Sequence, residues 1–282
     1  MQFTAARAFN PIVYLCGMMT FVDTHAHHYL QQFDNDRDAM LDRAMAAGCE
    51  AFFLPNIDST TIDSMLALEA SRPDVCFAMM GLHPSHVKEN FREELALCET
   101  WLRRRRFAAV GEIGIDLYWD KTHLQEQLEA LHTQMGWAKE LDLPIVLHTR
   151  EAMDIVIDAV AEAHDASLRG VFHCFNGNVA QAERIVGMGF YLGIGGVLTY
   201  KNGGLEPVIE ALGLDHVVLE TDAPYLAPIP MRGKRNESAY ITYVIDRLAN
   251  LTGLLPEEVG EKTTANARRL FAESFVLAPA MG

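Results

Sequence analysis

The chain contains 282 residues, half of them hydrophobic, and carries a formal net charge of -15. This length allows one large domain or two ordinary ones with a substantial core, and no run of about 20 apolar residues is present that would predict a membrane-spanning helix. The acidic charge excludes a broad basic face for polyanions, so any contact with nucleic acid has to be local.

The cysteines and the N-terminal residues indicate the setting of the domain. Five cysteines are scattered singly, without a CxxC spacing, which is typical of reduced thiols in the cytosol. We therefore expect a cytoplasmic protein with no membrane association and no obligate protein partner. Residues 1–20 hold one basic residue and a short apolar patch, a pattern that fits a secretory signal poorly. We expect them to form a poorly ordered N-terminal arm before a domain spanning residues 21–275.

From residue 21 onward, short β-branched or aromatic runs alternate with amphipathic segments of helical length. This alternation predicts eight strand–helix units followed by one additional helix. The predicted strands are Phe21–Thr24, Ala51–Pro55, Val75–Leu82, Phe107–Gly114, Ile145–His148, Val171–Phe175, Phe190–Gly195 and Val217–Thr221. The predicted helices lie near 36–47, 60–71, 91–103, 122–141, 151–164, 178–188, 204–212 and 238–252, with the additional helix at Glu257–Phe271.

Eight such units without a linker between them predict an α/β protein with a single (β/α)8 TIM barrel, an additional C-terminal helix and a short N-terminal arm. The alternative is an open, doubly wound sheet, which should carry a glycine-rich phosphate loop after its first strand. That position holds THAHHYLQQF, which contains no glycine. The sequence therefore favours the barrel.

Metal-ligand side chains follow the predicted strands at their carboxyl ends, where barrels of this kind carry their active sites. His25 and His27 occupy alternate positions after the first strand, so they point the same way. The later strand ends supply Asn56, His83, Glu112 with Asp116, His148 with Arg150, His173, and Glu220 with Asp222. Imidazoles and carboxylates bind divalent ions, and two such ions activate water and polarise a phosphoryl or carbonyl oxygen. The strand ends therefore predict a metal-dependent site.

The motifs FVDTHAH, MGLHP, GEIGID, PIVLHTR, FHCFNG and LETDAPYLAP, followed by RGKRNE, resemble those of the TatD family of metal-dependent deoxyribonucleases. This family lies within the amidohydrolase-like barrels, and the resemblance extends from about residue 21 to residue 272. It implies hydrolysis of phosphodiester bonds in DNA, or in RNA, from a free 3′ end. It also implies two divalent metal ions, with Mg, Mn and Zn as the candidates.

The resemblance assigns six side chains to these two ions. One ion would be held by His25, His27 and Asp222, and the other by His148 and His173, with Glu112 bridging the two. The carboxylate of Asp222 would also take a proton from the attacking water.

Further residues are implied to contact the substrate. His83 and Arg150 would face the scissile phosphate, Arg150 through fork-like hydrogen bonds. The loop after the last strand would hold the substrate backbone through Arg232, Lys234 and Arg235.

The loop after Glu112 allows two interpretations. Asp116 either contacts substrate or caps a loop beyond the strand end. Tyr118 and Trp119 either stack an unpaired base or pack the loop against the barrel. The sequence leaves both questions open.

Structural roles are favoured for three further sets of residues. Strand alternation predicts that Cys174 faces the helix layer, and it places Glu220 one layer below Asp222, where it would support a metal ligand. The basic run Arg103–Arg106 ends a helix and precedes a strand, so we expect it at the opposite end of the barrel.

Two positions depart from the family pattern. His28 stands where the family commonly has an apolar residue, which leaves open a third histidine near the rim. Ser238 stands where proline is common, and serine is itself a good cap for the following helix.

Two other functions remain open at this point. The same metal centre would hydrolyse an amide, ester, lactone or aminoacyl-tRNA bond as readily as a phosphodiester. A scaffold without catalysis is the second alternative, although buried acids and imidazoles are costly to retain without metal ions.

Overall fold

The computed structural model describes residues 19–272 and residue 274. The predicted N-terminal arm therefore lies outside the described residues except for Met19 and Thr20. Within these ranges, no helix combines the length and the apolar character that crossing a bilayer requires.

Strands and α-helices alternate along the described residues in the predicted order. The strands are β1 (Phe21–Asp23), β2 (Cys49–Pro55), β3 (Cys76–Met79), β4 (Val110–Asp116), β5 (Ile145–Arg150), β6 (Gly170–Phe172), β7 (Tyr191–Ile194) and β8 (Val217–Leu219). The helices are α1 (Arg37–Ala46), α2 (Ile62–Ser71), α3 (Phe91–Arg104), α4 (Leu124–Leu141), α5 (Met153–Ala163), α6 (Val179–Gly187), α7 (Glu206–Leu212), α8 (Ile241–Thr252) and α9 (Pro256–Leu270).

Neighbouring strands pair in parallel and in chain order, first from β1 to β3 and then from β4 to β8. The two sheets meet at both of their edges. After β3, the Met80 N–H donates to the Ala109 carbonyl and the Gly111 N–H donates to the Met80 carbonyl, each at 3.1 Å. Between β1 and β8, the Thr24 N–H donates to the Leu219 carbonyl at 3.0 Å. The strands thus surround one axis, which confirms the predicted barrel.

Side chains alternate along each strand and therefore fill two cores. The larger core lies between the strands and the helices. The smaller core fills the barrel and receives side chains from every strand or its immediate neighbour: Val22, Ala51, Phe53, Phe77, Met79, Ala109, Val146, Val171, Tyr191 and Val218. This filled interior separates the two ends of the barrel.

The additional helix α9 brings Phe271 to the end of the barrel where the strands begin. Phe271 borders the same small cavity as Phe107 and Pro144, which precede β4 and β5. Its ring stacks on Phe53, with the ring centres 4.1 Å apart, and only 2% of the residue is exposed. The predicted additional helix is present, and it leaves the opposite end of the barrel free for the site.

Asp23 joins β1 to the chain segment that follows β8. Its buried carboxylate accepts hydrogen bonds from the Thr221 N–H at 3.0 Å, the Thr221 hydroxyl at 2.6 Å and the Ser238 hydroxyl at 2.5 Å. Burial raises the pKa of Asp23 to about 7, and these donated hydrogen bonds limit that rise. The contacts fix the segment carrying His25 against the segment carrying Asp222.

The two departures from the family pattern, His28 and Ser238, contact each other. The Ser238 hydroxyl donates a hydrogen bond to Asp23, so its oxygen accepts a hydrogen bond from His28 Nε2–H at 3.1 Å. The His28 imidazole lies in the core against the edges of Phe33 and Phe52. His28 is therefore not a rim histidine. Ser238 does not cap α8, because its hydroxyl is bound to Asp23 and a 3-10 turn precedes the helix.

Several strand ends differ from their predicted positions near the site. β4 and β5 each extend two residues beyond their predicted ends, to Asp116 and Arg150. Asp116 is therefore the last residue of a strand and does not lie in the loop. β3 ends earlier than predicted, and His83 instead precedes the 3-10 turn Pro84–His86.

We expect Phe271→Ala to destabilise the protein by about 3–5 kcal/mol, because it removes an aromatic ring that closes the barrel interior. The midpoint of urea unfolding measures this change. Leu255→Ala, which truncates a side chain that is 59% exposed, serves as the control and should change stability by less than about 0.5 kcal/mol. A Phe271→Ala protein as stable as the control would contradict the sealing role.

Candidate metal centre

A cavity of about 540 Å³ opens at the carboxyl ends of the strands. Residues from β4 and β5 and from the loops after β1, β2, β3, β6, β7 and β8 line it, and most of the predicted metal ligands are among them. The polar lining consists of His27, Ser85, His83, His86, Glu112, Asp116, His148, Thr149, Arg150, His173, Asn176 and Asp222. His25 is fully buried beneath this lining.

Glu112 lies at the centre of the histidines. Its Oε2 atom is 3.0 Å from His25 Nε2 and 3.6 Å from His27 Nε2. Its Oε1 atom faces three other imidazoles, at 2.7 Å for His148, 3.1 Å for His173 and 3.3 Å for His83. Each carboxylate oxygen therefore faces its own group of imidazoles, which is the geometry that a bridging carboxylate requires.

These imidazoles also control the charge of Glu112. Burial alone would raise the pKa of Glu112, but its electrostatic interactions with the imidazoles of His83, His173 and His25 hold it well below its usual range. The side chain is 2% exposed, so the ionised carboxylate depends on positive charge close by. A divalent cation would supply such charge.

The hydrogen bonds of His27 orient its lone pair into the site. Tyr29 donates its hydroxyl proton to the Pro55 carbonyl at 2.6 Å, so its oxygen has to accept from His27 Nδ1–H at 2.9 Å. The Nε2 atom then carries the lone pair, 3.6 Å from Asp222 Oδ1. The role of Tyr29 could not be predicted from the sequence, because its partner Pro55 is distant in sequence and no local pattern reveals the contact.

Glu220 orients His173 in the same way. Its Oε1 atom accepts from His173 Nδ1–H at 3.2 Å and from the Cys174 N–H at 2.6 Å. The Nε2 atom of His173 is thereby turned towards Glu112, where its lone pair would face an ion. Gly193 makes room for this arrangement, because a Cβ atom there would lie 2.3 Å from Glu220 Oε2. The structure thus places Glu220 below the site, against a predicted ligand.

His25 supplies the strongest sign of a bound ion. Burial lowers the pKa of His25, so the ring is neutral, yet neither ring nitrogen has a hydrogen-bond partner. A buried polar atom without a partner is costly. Its Nε2 atom lies 3.8 Å from Asp222 Oδ1, and one ligand atom each from His25, His27 and Asp222 falls within 4.8 Å of the others. These residues fit a divalent ion.

His83 differs from these histidines. The Ser85 N–H donates to His83 Nδ1 at 3.0 Å, so Nδ1 carries the lone pair. Burial lowers the pKa of His83 to about 4, and the single proton of the neutral ring therefore sits on Nε2. His83 Nε2 lies near enough to Glu112 and His148 to complete a ligand group. Its proton makes it a hydrogen-bond donor instead.

His148 lies between two carboxylates. Its Nδ1 atom is 2.7 Å from Glu112 Oε1, and its Nε2 atom is 3.0 Å from Asp116 Oδ2. Burial alone would lower the pKa of His148, but the hydrogen bonds to Asp116 and Glu112 outweigh it and raise the pKa. If Asp116 accepts the Nε2 proton, Nδ1 is free to bind an ion beside Glu112. Asp116 thus orients a predicted ligand.

The three basic residues of the loop after β8 differ in whether a carboxylate binds them. Arg235 binds Asp36 through two hydrogen bonds, at 2.6 and 2.9 Å, and stacks on Phe33. Its charge is therefore taken up away from the cavity. Arg232 lies over the Tyr200 ring, and both Arg232 and Lys234 are exposed without a carboxylate partner in the described chain.

The structure contradicts the expectation, based on strand alternation, that Cys174 faces the helix layer. β6 ends at Phe172, and Cys174 has a φ of +47°, so the alternation no longer holds at this position. The residue lines the cavity. Burial raises the pKa of its thiol well above the usual range, which leaves it a poor nucleophile.

The basic run Arg103–Arg106 lies away from this site. It ends α3 and precedes β4, at the end of the barrel that Phe271 closes. Arg103 pairs with Glu99 and Glu140, and Arg105 pairs with Glu69. These contacts agree with the predicted structural role.

Comparison with known proteins identifies the family. The family model described as TatD related DNase matches residues 22–272. An uncharacterized metal-dependent hydrolase of Bacillus subtilis, YabD, is 36% identical over 88% of this chain and 98% of its own length. A protein of Erwinia tasmaniensis named 3′-5′ ssDNA/RNA exonuclease TatD is 31% identical over 85% of this chain and 95% of its own length.

The solved structures agree. The crystal structure of YjjV, a TatD homologue from Escherichia coli K12, superposes with a TM-score of 0.84 at 31% identity, covering 90% of this chain and 99% of that one. A TatD family hydrolase from Entamoeba histolytica, 20% identical, shares the fold with a TM-score of 0.76 over 89% of this chain and 98% of its own. Together with the arrangement of imidazoles around Glu112, these matches show that the chain belongs to the TatD family and is a metal-dependent hydrolase.

Proposed function

We propose that this protein hydrolyses phosphodiester bonds of DNA from a free 3′ end, using two divalent ions. The position of Glu112 between two groups of imidazoles carries this proposal, because it provides two adjoining ligand sets that share one carboxylate. His25, His27 and Asp222 would hold one ion, and His148 and His173 the other. When bound, the ions polarise the phosphoryl oxygen and lower the pKa of water.

Asp222 is the carboxylate best placed to take a proton from the attacking water. Its side chain is 17% exposed, whereas those of Glu112 and Asp116 are 2% and 6% exposed. Burial alone would raise its pKa, but the nearby imidazoles of His27, His173 and His25 lower it. The carboxylate is therefore ionised and within reach of solvent, as a general base has to be.

His83 and Arg150 would bind the phosphate. His83 presents a proton on Nε2 to the cavity, as its contact with Ser85 requires. Arg150 lines the same cavity and makes no ion pair or side-chain hydrogen bond with any described residue. Its fork of N–H donors is therefore available for the oxygens of a phosphate.

The unpaired cations favour a phosphate-bearing substrate over a neutral ester or lactone. Most arginines and lysines of this acidic chain are bound to carboxylates, as Arg235 is to Asp36. Arg232 and Lys234, and also Lys201 in the loop after β7, have no carboxylate partner within the described residues. All three follow strands whose carboxyl ends form the cavity. A few local contacts to the phosphate backbone fit both this arrangement and the net charge of -15.

The names of the relatives support the same reading. The Erwinia tasmaniensis protein is named as an exonuclease of single-stranded DNA and RNA that acts in the 3′-5′ direction. YabD and an Escherichia coli relative 34% identical to this chain are named only as metal-dependent hydrolases. Phosphodiester cleavage from the 3′ end is therefore the specific activity to test.

The proposal is tested with metal-stripped protein that is reconstituted with Mg²⁺, Mn²⁺ or Zn²⁺. Oligonucleotides with free and blocked 3′ ends are compared with simple esters and lactones. We expect shortening of the free 3′ ends and protection of the blocked ones. Turnover of esters or lactones without any cleavage of oligonucleotides would overturn the proposal and favour an amidohydrolase-type reaction.

Within this assay, Asp222→Asn should lower turnover by about 10²–10⁴-fold, because the amide cannot accept the proton of water. Arg235→Gln is the matched control from the same loop. Its guanidinium is bound to Asp36 outside the cavity, so turnover should stay within about twofold of wild type, an effect on the barrier below about 0.5 kcal/mol. Equal turnover in Asp222→Asn and wild type would exclude Asp222 as the base.

Tyr29→Phe and Glu220→Gln should each lower metal affinity by about 10–100-fold, since the first removes the hydroxyl that accepts from His27 and the second replaces the charged acceptor of His173 by a weaker, neutral amide. Titration of the stripped proteins with Zn²⁺, followed calorimetrically, measures the effect. Ser85→Ala is the control, because it removes a hydroxyl near His83. Since His83 is proposed as a hydrogen-bond donor and not as a metal ligand, this variant should keep the metal affinity of wild type. Wild-type affinity in both Tyr29→Phe and Glu220→Gln would contradict the assigned tautomers.

A further inference from the structure

Trp119 is the most exposed large hydrophobic side chain in the described part of the chain, at 80%. It stands in the loop between β4 and α4 and lines the cavity together with Glu112 and His83. Leaving an aromatic ring in water forgoes the free energy that its burial would contribute. Such an exposure also excludes the interpretation that Trp119 packs the loop against the barrel.

Tyr118, Arg150 and Trp119 lie in contact with one another. The Arg150 guanidinium lies 3.7 Å from the centre of the Tyr118 ring and 5.9 Å from that of Trp119. The two aromatic rings meet edge to face, with their centres 4.6 Å apart. The Arg150 guanidinium lies over the Tyr118 ring and makes no side-chain hydrogen bond with a described residue, so its N–H donors stay available.

Hydrogen bonds connect this group to the metal centre. The Tyr118 N–H donates to Asp116 Oδ1 at 2.9 Å, and Asp116 Oδ2 is 3.0 Å from His148 Nε2. The Leu117 N–H donates to the Arg150 carbonyl at 3.0 Å. The loop is therefore held next to a metal ligand, and a group on Trp119 would lie close to the reacting phosphate.

We propose that Trp119 stacks an unpaired nucleobase of the substrate, while Arg150 binds the adjoining phosphate. This inference rests on the proposed nuclease function. Base stacking is available to every nucleobase and requires no positive surface, so it suits a protein whose net charge is -15. A base inside a duplex has both faces covered by its neighbours, so the subsite selects single strands and frayed ends without reading their sequence.

The test compares two single-stranded oligonucleotides that differ only in the last two positions of their 3′ ends. One carries normal bases throughout, and the other has abasic sites in place of its last two bases at the 3′ end. For wild type, we expect KM to be about tenfold higher for the abasic oligonucleotide, which corresponds to about 1.4 kcal/mol of lost stacking. In Trp119→Ala the two KM values should become equal, and Trp119→Phe should restore most of the difference.

A binding measurement is independent of cleavage. A base stacked on Trp119 quenches its fluorescence, so the normal oligonucleotide should quench wild type and should not quench Trp119→Ala, in which Trp101 and Trp137 remain. Leu255→Ala removes an exposed side chain at the start of α9 and is the matched control, with both readouts as in wild type.

The outcomes separate this inference from the proposed function. Wild type could cleave the normal and the abasic oligonucleotide with equal KM and show no quenching that depends on Trp119. This result would overturn the stacking subsite but would not affect the proposed nuclease function. Quenching by the normal oligonucleotide alone, with no cleavage under any metal, would support the subsite and contradict the nuclease function. A base preference that persists in Trp119→Ala would also overturn the proposal.

Discussion

The site depends on one buried carboxylate, that of Glu112, which is surrounded by imidazoles from the loops after β1, β3 and β6 and from β5. An ionised carboxylate that is 2% exposed is stable only if positive charge and hydrogen-bond donors compensate its lost hydration. In this protein the surrounding imidazoles provide part of that compensation, and divalent ions would provide the rest. The barrel serves this arrangement, because only its parallel strands bring these distant segments to one end.

The contacts behind the imidazoles determine which ring nitrogens carry lone pairs and which carry protons. Tyr29 and Glu220 accept hydrogen bonds from the Nδ1–H groups of His27 and His173, and so turn the Nε2 atoms towards the site. The backbone N–H of Ser85 has the opposite effect on His83. Distance alone would group these imidazoles together. Their hydrogen bonds separate ligands from a donor that is suited to a phosphate.

Much of the fold could be predicted from the sequence, because a filled barrel imposes alternating strand and helix patterns on the whole chain. Each predicted strand and helix has its counterpart, and the errors lie at the ends, as at Asp116 and Arg150. The structure also brings side chains from several motifs to one cavity, namely His27, His83, Glu112, His148, His173 and Asp222, with His25 buried beneath them. The contacts of Arg235 with Asp36, of His28 with Ser238 and of Tyr29 with Pro55 could not be predicted, because they join positions distant in sequence without a repeating pattern.

The proposed bridging of two divalent ions by Glu112 is tested most directly by the metal stoichiometry of wild type and Glu112→Gln. Calorimetric titration of the stripped wild type should show two ions per chain. Glu112→Gln keeps the shape of the side chain but loses its charge, and it should weaken the binding of both ions by more than about a hundredfold, beyond the effect of removing an outer hydrogen-bond partner. A folded Glu112→Gln protein that binds two ions with wild-type affinity would contradict the account.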